Sequence, residues 1–342
     1  MGRSRSRSLA AASFALLLNA ATAHAETPEV VTSIKPLHSL VAGVMQGVGE
    51  PHLLVGGGES PHTYSMRPSD AEALSNADVI FWVGEELETF LQRPIANLGA
   101  DARAIALLHA PGMTLLEFPE DGDEAHTDDH ADCEDEHAGD HPDDHEEAAD
   151  DHHDDHHDDE PGEHAHHHAG TDPHVWLDPA NARAMVAEIV AVLADVDAKN
   201  ADIYRRNGAD LTARLEQLEA DTTETLKPYR DIPYFTFHEA FRYFGSRFGL
   251  DSQGAISLSP DRQPGAQRLR EIRAEIGRYD RVCIFAEPQF PPKLVDVIVE
   301  GTPARTGTLD PLGAALAPGP DLYLDLIRSN RDAFANCFQS TM

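Results

Sequence analysis

The chain has 342 residues, of which 60 are Asp or Glu and 26 are Lys or Arg, for a formal net charge of −34 at pH 7. Residues 120–163 alone hold 23 of the acidic residues and no basic one, and the rest of the chain is still acidic. This charge argues against nucleic acid or an anionic membrane surface as a partner, and it suits an exported protein that handles cations.

The first 25 residues have the pattern of a secretory signal peptide. A basic start with three Arg precedes a mostly apolar stretch over 9–20 and the small residues of Ala23-His24-Ala25. We expect cleavage after Ala25 and a periplasmic mature protein. The residue directly after that point is Glu26 and not Cys, and no later stretch approaches 18 apolar residues, so neither a lipid anchor nor a membrane span is expected.

The first part of the mature chain alternates between strand and helix patterns. Apolar or β-branched runs predict strands over 30–33, 52–55, 78–83 and 103–108. Helical spacing predicts helices over 36–46, from Pro68 onward, and over 86–98. Such alternation indicates βαβ units and a largely parallel sheet.

The second part begins with two long helical patterns and then alternates again. The helices are predicted over 179–196 and 200–226, the second being a rod of roughly 40 Å. Further strands are predicted over 234–237, 255–258, 281–286 and 304–308, and further helices over 240–248, 265–279, 292–299 and 322–338. We therefore expect an α/β fold with an N-terminal lobe over 27–178, a helical connection over 179–229 and a C-terminal lobe over 230–342.

A segment rich in His and acidic residues, 121–168, interrupts the N-terminal lobe within a predicted insert over 120–170. It holds 13 of the 20 histidines and no Lys or Arg, so we expect a disordered, low-affinity trap for divalent metals. The alternative is a solvated acidic spacer, and Cys133 within it is either an extra soft ligand or an exposed thiol. The expected accessory metal-binding histidines are His152, His153, His156, His157, His164, His166, His167 and His168.

Four predicted strand ends carry a side chain that could hold a metal ion: His62, His174, His238 and Asp310. In open α/β sheets, ligands bind beyond the carboxyl ends of the strands. Three imidazoles and one carboxylate suit tetrahedral Zn²⁺, whereas Mn²⁺ prefers more carboxylates. Asp310 precedes Pro311 and could equally be a turn or N-cap residue, in which case Glu59 or water would be the fourth ligand.

Five motifs along the mature chain together carry a family resemblance: GESPHTYSMRPSD, DPHVWLDP, FHEAF, FAEPQF and RTGTLDPLG. They resemble the motif set of the periplasmic zinc-binding proteins of ABC transporters, the ZnuA-type solute-binding family. The resemblance implies two Rossmann-like (βα)₄ lobes joined by one long rigid helix, with a zinc site in the cleft between them. It places three ligands at His62, His174 and His238, and a variable fourth at Asp310. Other members use a Glu directly before the first His, where this chain has Pro61.

The resemblance also implies a function and partners. The chain would capture Zn²⁺ in the periplasm and deliver it to the membrane permease of an ABC transporter, as a monomer and with a periplasmic zinc chaperone as a further partner. In an oxidising compartment Cys283 and Cys337 could pair, or could stay as two buried thiols. The family's C-lobe disulfide favours the pair.

The sequence leaves three alternative functions open. A manganese- or iron-specific member of the same family would share the fold. A secreted zinc hydrolase could use Glu239 or Glu287 as a general base, but the sequence contains no HExxH pair, and we expect no enzyme activity. A matrix-binding exported protein of the same fold is the third.

Overall fold

A computed structural model describes residues 27–56, 58–118, 170–257, 264–290 and 293–341. The predicted signal peptide, the His-rich segment 121–168 and Cys133 lie outside the described residues. The described chain forms two parallel four-stranded sheets with helices between the strands, which confirms the predicted two-lobed α/β fold class.

The first sheet has the strand order β2-β1-β3-β4. All five residues of β1 are buried, because helices cover both faces of a parallel sheet. The strands are Val30–Ile34 (β1), His52–Val55 (β2), Val79–Trp82 (β3) and Arg103–Ala106 (β4). The helices of this lobe are Lys35–Val44 (α1), Pro68–Asn76 (α2) and Gln92–Asn97 (α3).

Two long helices, Pro179–Val196 (α4) and Ala201–Leu226 (α5), connect the lobes. Asp178 caps α4 by accepting a hydrogen bond from the amide of Ala180, and Pro179 takes the first helical position. The 26 residues of α5 extend about 39 Å at 1.5 Å per residue. Helix α5 packs closely on α4 at Gly208, where any Cβ would collide with the side chain of Val190.

The second sheet repeats the order of the first, as β6-β5-β7-β8. Each sheet therefore has a switch point where the strand order reverses, between β1 and β3 and between β5 and β7. The strands are Tyr234–His238 (β5), Ser252–Ser257 (β6), Cys283–Ala286 (β7) and Arg305–Thr308 (β8). The helices are Arg242–Phe248 (α6), Ala266–Ile276 (α7), Lys293–Val299 (α8) and Leu322–Ser340 (α9).

The two lobes share one hydrophobic core. A single cluster of buried side chains runs from Val31 of the first sheet through Leu215 of α5 to Phe334 of α9. A smaller cluster covers the other face of the second sheet, where Phe235 and Phe237 point away from that shared core. Because the lobes are packed through α1, α5 and α9, a wide hinge motion would open a close-packed interior.

Two local predictions differ from the structure. The helix predicted over 86–98 is a 3₁₀ turn, Thr89–Leu91, followed by α3. It starts late because Glu88 has a non-helical backbone and its buried carboxylate accepts hydrogen bonds from the amides of Val83 and Gly84. His174 does not end a strand, but precedes the 3₁₀ turn Val175–Leu177 that leads into α4.

The second lobe contains the disulfide that the family resemblance implies. Cys283 of β7 and Cys337 of α9 are bonded, with their Cα atoms 6.2 Å apart. The bond ties the last helix to the middle of the sheet. Within the described ranges, every helix is too short or too polar to cross a membrane.

Candidate metal centre

Three histidines from three separate segments meet in the cleft between the lobes. His238 is the last residue of β5 and lies at the switch point of the second sheet. His174 precedes the 3₁₀ turn that leads into α4, and His62 lies in the turn between β2 and α2. His174 and His238 are buried, at 4% and 6% exposure, while His62 is partly exposed. The structure therefore brings together three of the predicted site residues.

The spacing of the three rings suits one metal ion. One ring nitrogen from each histidine lies within 4.8 Å of the other two. The Nε2 atoms of His174 and His238 are 3.4 Å apart. Ligands at about 2.0–2.1 Å from a tetrahedral zinc would be separated by roughly 3.3 Å, so this pair is already at a chelating distance. The ring centroid of His62 is 5.5 Å from that of His174 and 6.1 Å from that of His238.

Buried carboxylates orient two of the three imidazoles. Oδ1 of Asp172 accepts hydrogen bonds from Nδ1 of His174 at 2.8 Å and from the His174 amide at 3.0 Å. Oε1 of Glu287 does the same for His238, at 2.7 Å from Nδ1 and 3.1 Å from the amide. A carboxylate can only accept, so Nδ1 of each ring carries the proton and the Nε2 lone pair points into the cleft.

The sequence did not predict that Asp172 and Glu287 contact the site histidines. Both stand inside motifs it used, DPHVWLDP and FAEPQF. Asp172 is two residues before His174, a local signal that could have been read. Glu287 follows β7 and reaches His238 across the switch point, 49 residues away in sequence. From the sequence, Glu287 was considered only as the general base of a zinc hydrolase.

His62 is held differently. Its backbone amide donates a hydrogen bond to Oγ of Ser60 at 3.4 Å, and within the described part of the chain neither of its ring nitrogens has a carboxylate partner. Burial, and next the nearby rings of His174 and His238, lower the pKa of His62 well below its ordinary value of 6.5. A depressed pKa keeps the imidazole neutral, which is the form that binds a metal ion.

The two candidates for a fourth protein ligand are both occupied by other contacts. Asp310 accepts hydrogen bonds from the amides of Leu312, Gly313 and Ala314, at 2.6 to 3.1 Å. Glu59 forms an ion pair with Arg67 through both oxygens, at 2.8 Å, and is exposed. Neither belongs to the group formed by the three histidines. These contacts are the ones expected of a turn residue and of a surface ion pair.

Space for an ion and an approach to it are both present. A cavity of about 10 Å³ lies among the three histidines, Trp176, Pro311 and Leu312. Next to it is a wider cavity of about 420 Å³, open to solvent and lined by Glu59, Thr63 and Tyr64. Ser60, Gln289 and Phe290 line both cavities. The metal-sized space is thus reached from the side on which His62 lies.

Comparison with known proteins places this arrangement in a family. The sequence model described as "Zinc-uptake complex component A periplasmic" matches residues 30–337. The chain belongs to the ZnuA family. It is 50% identical over 313 residues to the "High-affinity zinc uptake system protein ZnuA" of Brucella abortus (strain 2308), covering 91% of this chain and 92% of that protein.

Solved structures share the ZnuA-type fold at lower identity. The periplasmic zinc-binding protein TroA from Treponema pallidum is 21% identical with a TM-score of 0.71, covering 91% of this chain and 99% of that one. FpvC from Pseudomonas aeruginosa, in complex with Mn²⁺, is 20% identical with a TM-score of 0.72, covering 92% and 100%. Since one fold is found with either metal, the fold alone does not decide which metal this chain binds.

Proposed function

We propose that this chain captures Zn²⁺ in the periplasm and delivers it to the permease of an ABC transporter for zinc uptake. In this proposal His174 and His238 bind one ion tightly through their Nε2 atoms, and His62 binds it through one of its ring nitrogens. The carboxylate-oriented pair of imidazoles, with Nε2 atoms 3.4 Å apart, is the observation that carries the proposal. Membership of a family described as the periplasmic component of a zinc-uptake complex supports it.

The charges around the cleft favour a divalent cation. Asp172 and Glu287 are 0% and 3% exposed, and each has one buried oxygen without a hydrogen-bond partner within the described chain. Arg242 forms an ion pair with Oδ2 of Asp172 at 3.6 Å and offsets part of that charge, whereas the ion-pair partner of Glu287 within the described chain is His238. A dication bound by the imidazoles would therefore lie close to a buried carboxylate that no Lys or Arg of the described chain neutralises. Hydrogen bonding to the carboxylates also makes the ligating nitrogens better donors.

Transport requires release as well as capture. Because the lobes share one core, we propose that the ion leaves through local movement at the cleft mouth rather than through wide opening of the lobes. Ligation needs neutral imidazoles, so affinity falls once acid protonates them, and the lowered pKa of His62 moves that loss for this ligand to a pH well below 6.5. The protein would act as a monomer that docks on the permease, with a periplasmic zinc chaperone as a second partner.

Zinc is favoured over manganese or iron by the donor set. The three side chains that converge are imidazoles, which suit zinc, and the nearby carboxylates contact imidazoles or backbone amides instead. A hydrolase would need a free general base near the ion. Glu287, one of the two candidates for that base, already accepts a hydrogen bond from Nδ1 of His238. It therefore orients an imidazole and is not free to act as a base.

The His-rich segment 121–168 is proposed as an accessory collector or sensor of zinc. Its 13 histidines would bind zinc weakly and raise the local supply to the cleft. Export of the chain through residues 1–25 belongs to the same proposal.

The decisive experiment measures zinc stoichiometry and affinity by competition with a chelator, in the mature chain and in the chain lacking residues 121–168. We expect one tight zinc in both, lost on His62→Ala, His174→Ala or His238→Ala. Substituting the exposed His52 with Ala is a matched control and should leave tight binding unchanged. Tight binding that disappears with the segment and survives the three substitutions would contradict the proposal.

A further inference from the structure

A buried lysine joins the two lobes beside the metal centre. Lys35 is the first residue of α1 and directly follows β1 at the switch point of the first sheet. Its side chain is almost fully buried, with 4% of the residue exposed. Its Nζ donates hydrogen bonds to the carbonyls of Gly313, Ala314 and Leu316, each at 3.0 Å. All three bonds of the ammonium therefore go to one loop of the second lobe, residues 309–316.

The same loop encloses the carboxylate of Asp310. Carbonyls of the loop point to Lys35, and the amides of Leu312, Gly313 and Ala314 point to Asp310. Gly313 has a φ of 70°, which lets the chain turn tightly enough to present both sets of groups. Lys35 and Asp310 thus hold opposite sides of the 309–316 loop, and the ammonium attracts the carboxylate through it.

This loop also forms a wall of the zinc cavity. Pro311 and Leu312 line the cavity, and the carbonyl of Pro311 accepts a hydrogen bond from Nε1 of Trp176 at 2.8 Å. Gln289, which lines the cavity too, donates to Oδ1 of Asp310 at 3.2 Å. Asp310 therefore lies behind the wall of the cavity, one hydrogen bond away from a residue that faces the ion.

We propose that Lys35 is a specificity-determining positioning residue, which holds the 309–316 loop closed around Asp310 and so keeps that carboxylate out of the metal centre. The donor set then remains three imidazoles, the set that suits zinc. If the loop loosened, Asp310 could turn into the cavity and supply the carboxylate oxygen that Mn²⁺ prefers. This inference rests on the proposed zinc-binding function and explains how the chain would exclude a harder metal.

The test replaces the ammonium with an uncharged side chain of similar length. For Lys35→Met, folded by circular dichroism, we expect the ratio of Zn²⁺ to Mn²⁺ affinity to fall on the order of tenfold. Adding Asp310→Asn to Lys35→Met should restore the ratio, because the carboxylate that supplied the new donor is gone. Lys227→Met, an exposed lysine at the far end of α5, is the matched control and should leave the ratio unchanged.

The outcomes separate this inference from the proposed function. An unchanged ratio in Lys35→Met, with tight zinc binding in the wild-type chain, overturns the role of Lys35 alone. A lowered ratio that persists in Lys35→Met/Asp310→Asn shows general loosening of the cleft and overturns it as well. Failure of the wild-type chain to bind zinc through its histidines would instead overturn the proposed function.

A second measurement does not depend on the variants folding. In a crystal structure of the zinc-loaded wild-type chain, Asp310 should still accept hydrogen bonds from the amides of residues 312–314. An Asp310 oxygen at about 2.0–2.2 Å from the zinc would overturn the inference.

Discussion

The candidate metal centre holds its three histidines in two different ways. His174 and His238 are buried and each is fixed by a carboxylate that binds both its ring and its backbone amide. His62 lies in a partly exposed turn, and its ring has no such partner among the described residues. In the proposed zinc site this pair would lose little freedom on binding an ion. His62 would have to be ordered by the ion itself, and it lies on the side from which solvent enters.

The largest expected effect comes from removing one histidine of this buried pair. Zinc binding to structural sites is worth about 10–16 kcal/mol, so one ligand of four contributes roughly 2.5–4 kcal/mol. We expect His238→Ala to weaken zinc binding on the order of 100- to 1000-fold in chelator competition. For His62→Ala we expect zinc binding to weaken by about 100-fold or less, because the pair of His174 and His238 remains. A greater loss for His62→Ala than for His238→Ala would contradict the comparison.

Glu88 is a buried carboxyl group without an imidazole partner among the described residues, in contrast to Asp172 and Glu287. Glu88 is fully buried beside the end of β3, and burial raises its pKa to about 7. The folded state therefore favours the protonated form. The resulting stability is fully present below the unfolded pKa of about 4.5 and is lost as the pH rises to about 7, by roughly 3 kcal/mol.

Urea unfolding of the metal-free protein at pH 4.5 and pH 8 would measure this loss. Glu88→Gln cannot ionise, so its free energy of unfolding should vary less between the two pH values than that of the wild type. Glu72→Gln changes an exposed carboxylate of α2 and serves as the control. An equal pH dependence in Glu88→Gln and the wild type would show that Glu88 does not carry the effect.

Removing the charge that orients a ligand should have a smaller effect than removing the ligand. For Glu287→Gln or Asp172→Asn we expect zinc affinity to fall about 10- to 100-fold, the usual cost of a lost partner to a metal-bound imidazole. Glu239→Gln is the matched control, because Glu239 follows His238 in the chain but makes no hydrogen bond to its ring in the described structure. Loss of affinity in Glu239→Gln equal to that in Glu287→Gln would indicate a general charge effect.

The smallest expected effect tests the surroundings of His62. Arg67→Ala releases Glu59, three residues before His62, from an exposed ion pair worth less than about 1 kcal/mol. If Glu59 takes no part in zinc binding, affinity should change by less than about threefold in the same competition assay. A marked gain in affinity would instead indicate that the released Glu59 reaches the ion.

The predictability of the site follows from how far apart its parts lie in the sequence. His238 could be predicted because it ends an apolar strand run, and strand ends are where α/β proteins bind ligands. Its partner Glu287 could not, because the pairing depends on β5 and β7 being neighbours in the folded sheet. The same holds for Lys35, whose bonds cross 278 to 281 residues of sequence.

Asp310 shows a different limit. Its residue type and its place after a strand fit a metal ligand and a turn residue equally well. Only the backbone conformation of the 309–316 loop, with its amides turned inward, shows which contacts the carboxylate makes. A crystal structure of the zinc-loaded chain would separate the predicted role of Asp310 as fourth ligand from the proposed role outside the metal centre. The helix near Glu88 was predicted to start too early for a similar reason, since the Glu88 side chain accepts hydrogen bonds from backbone amides and the helix begins only after it.

The shared core has a consequence for anyone who wishes to divide the molecule. The boundaries near residues 178 and 230 separate two sheets in the chain, but the cluster from Val31 to Phe334 passes between them. A fragment holding one sheet would leave the inner faces of α1, α5 or α9 in water, at about 25 cal/mol for each Å² of apolar surface exposed. The lobes are therefore halves of one folding unit, and neither should persist as a separate soluble fragment.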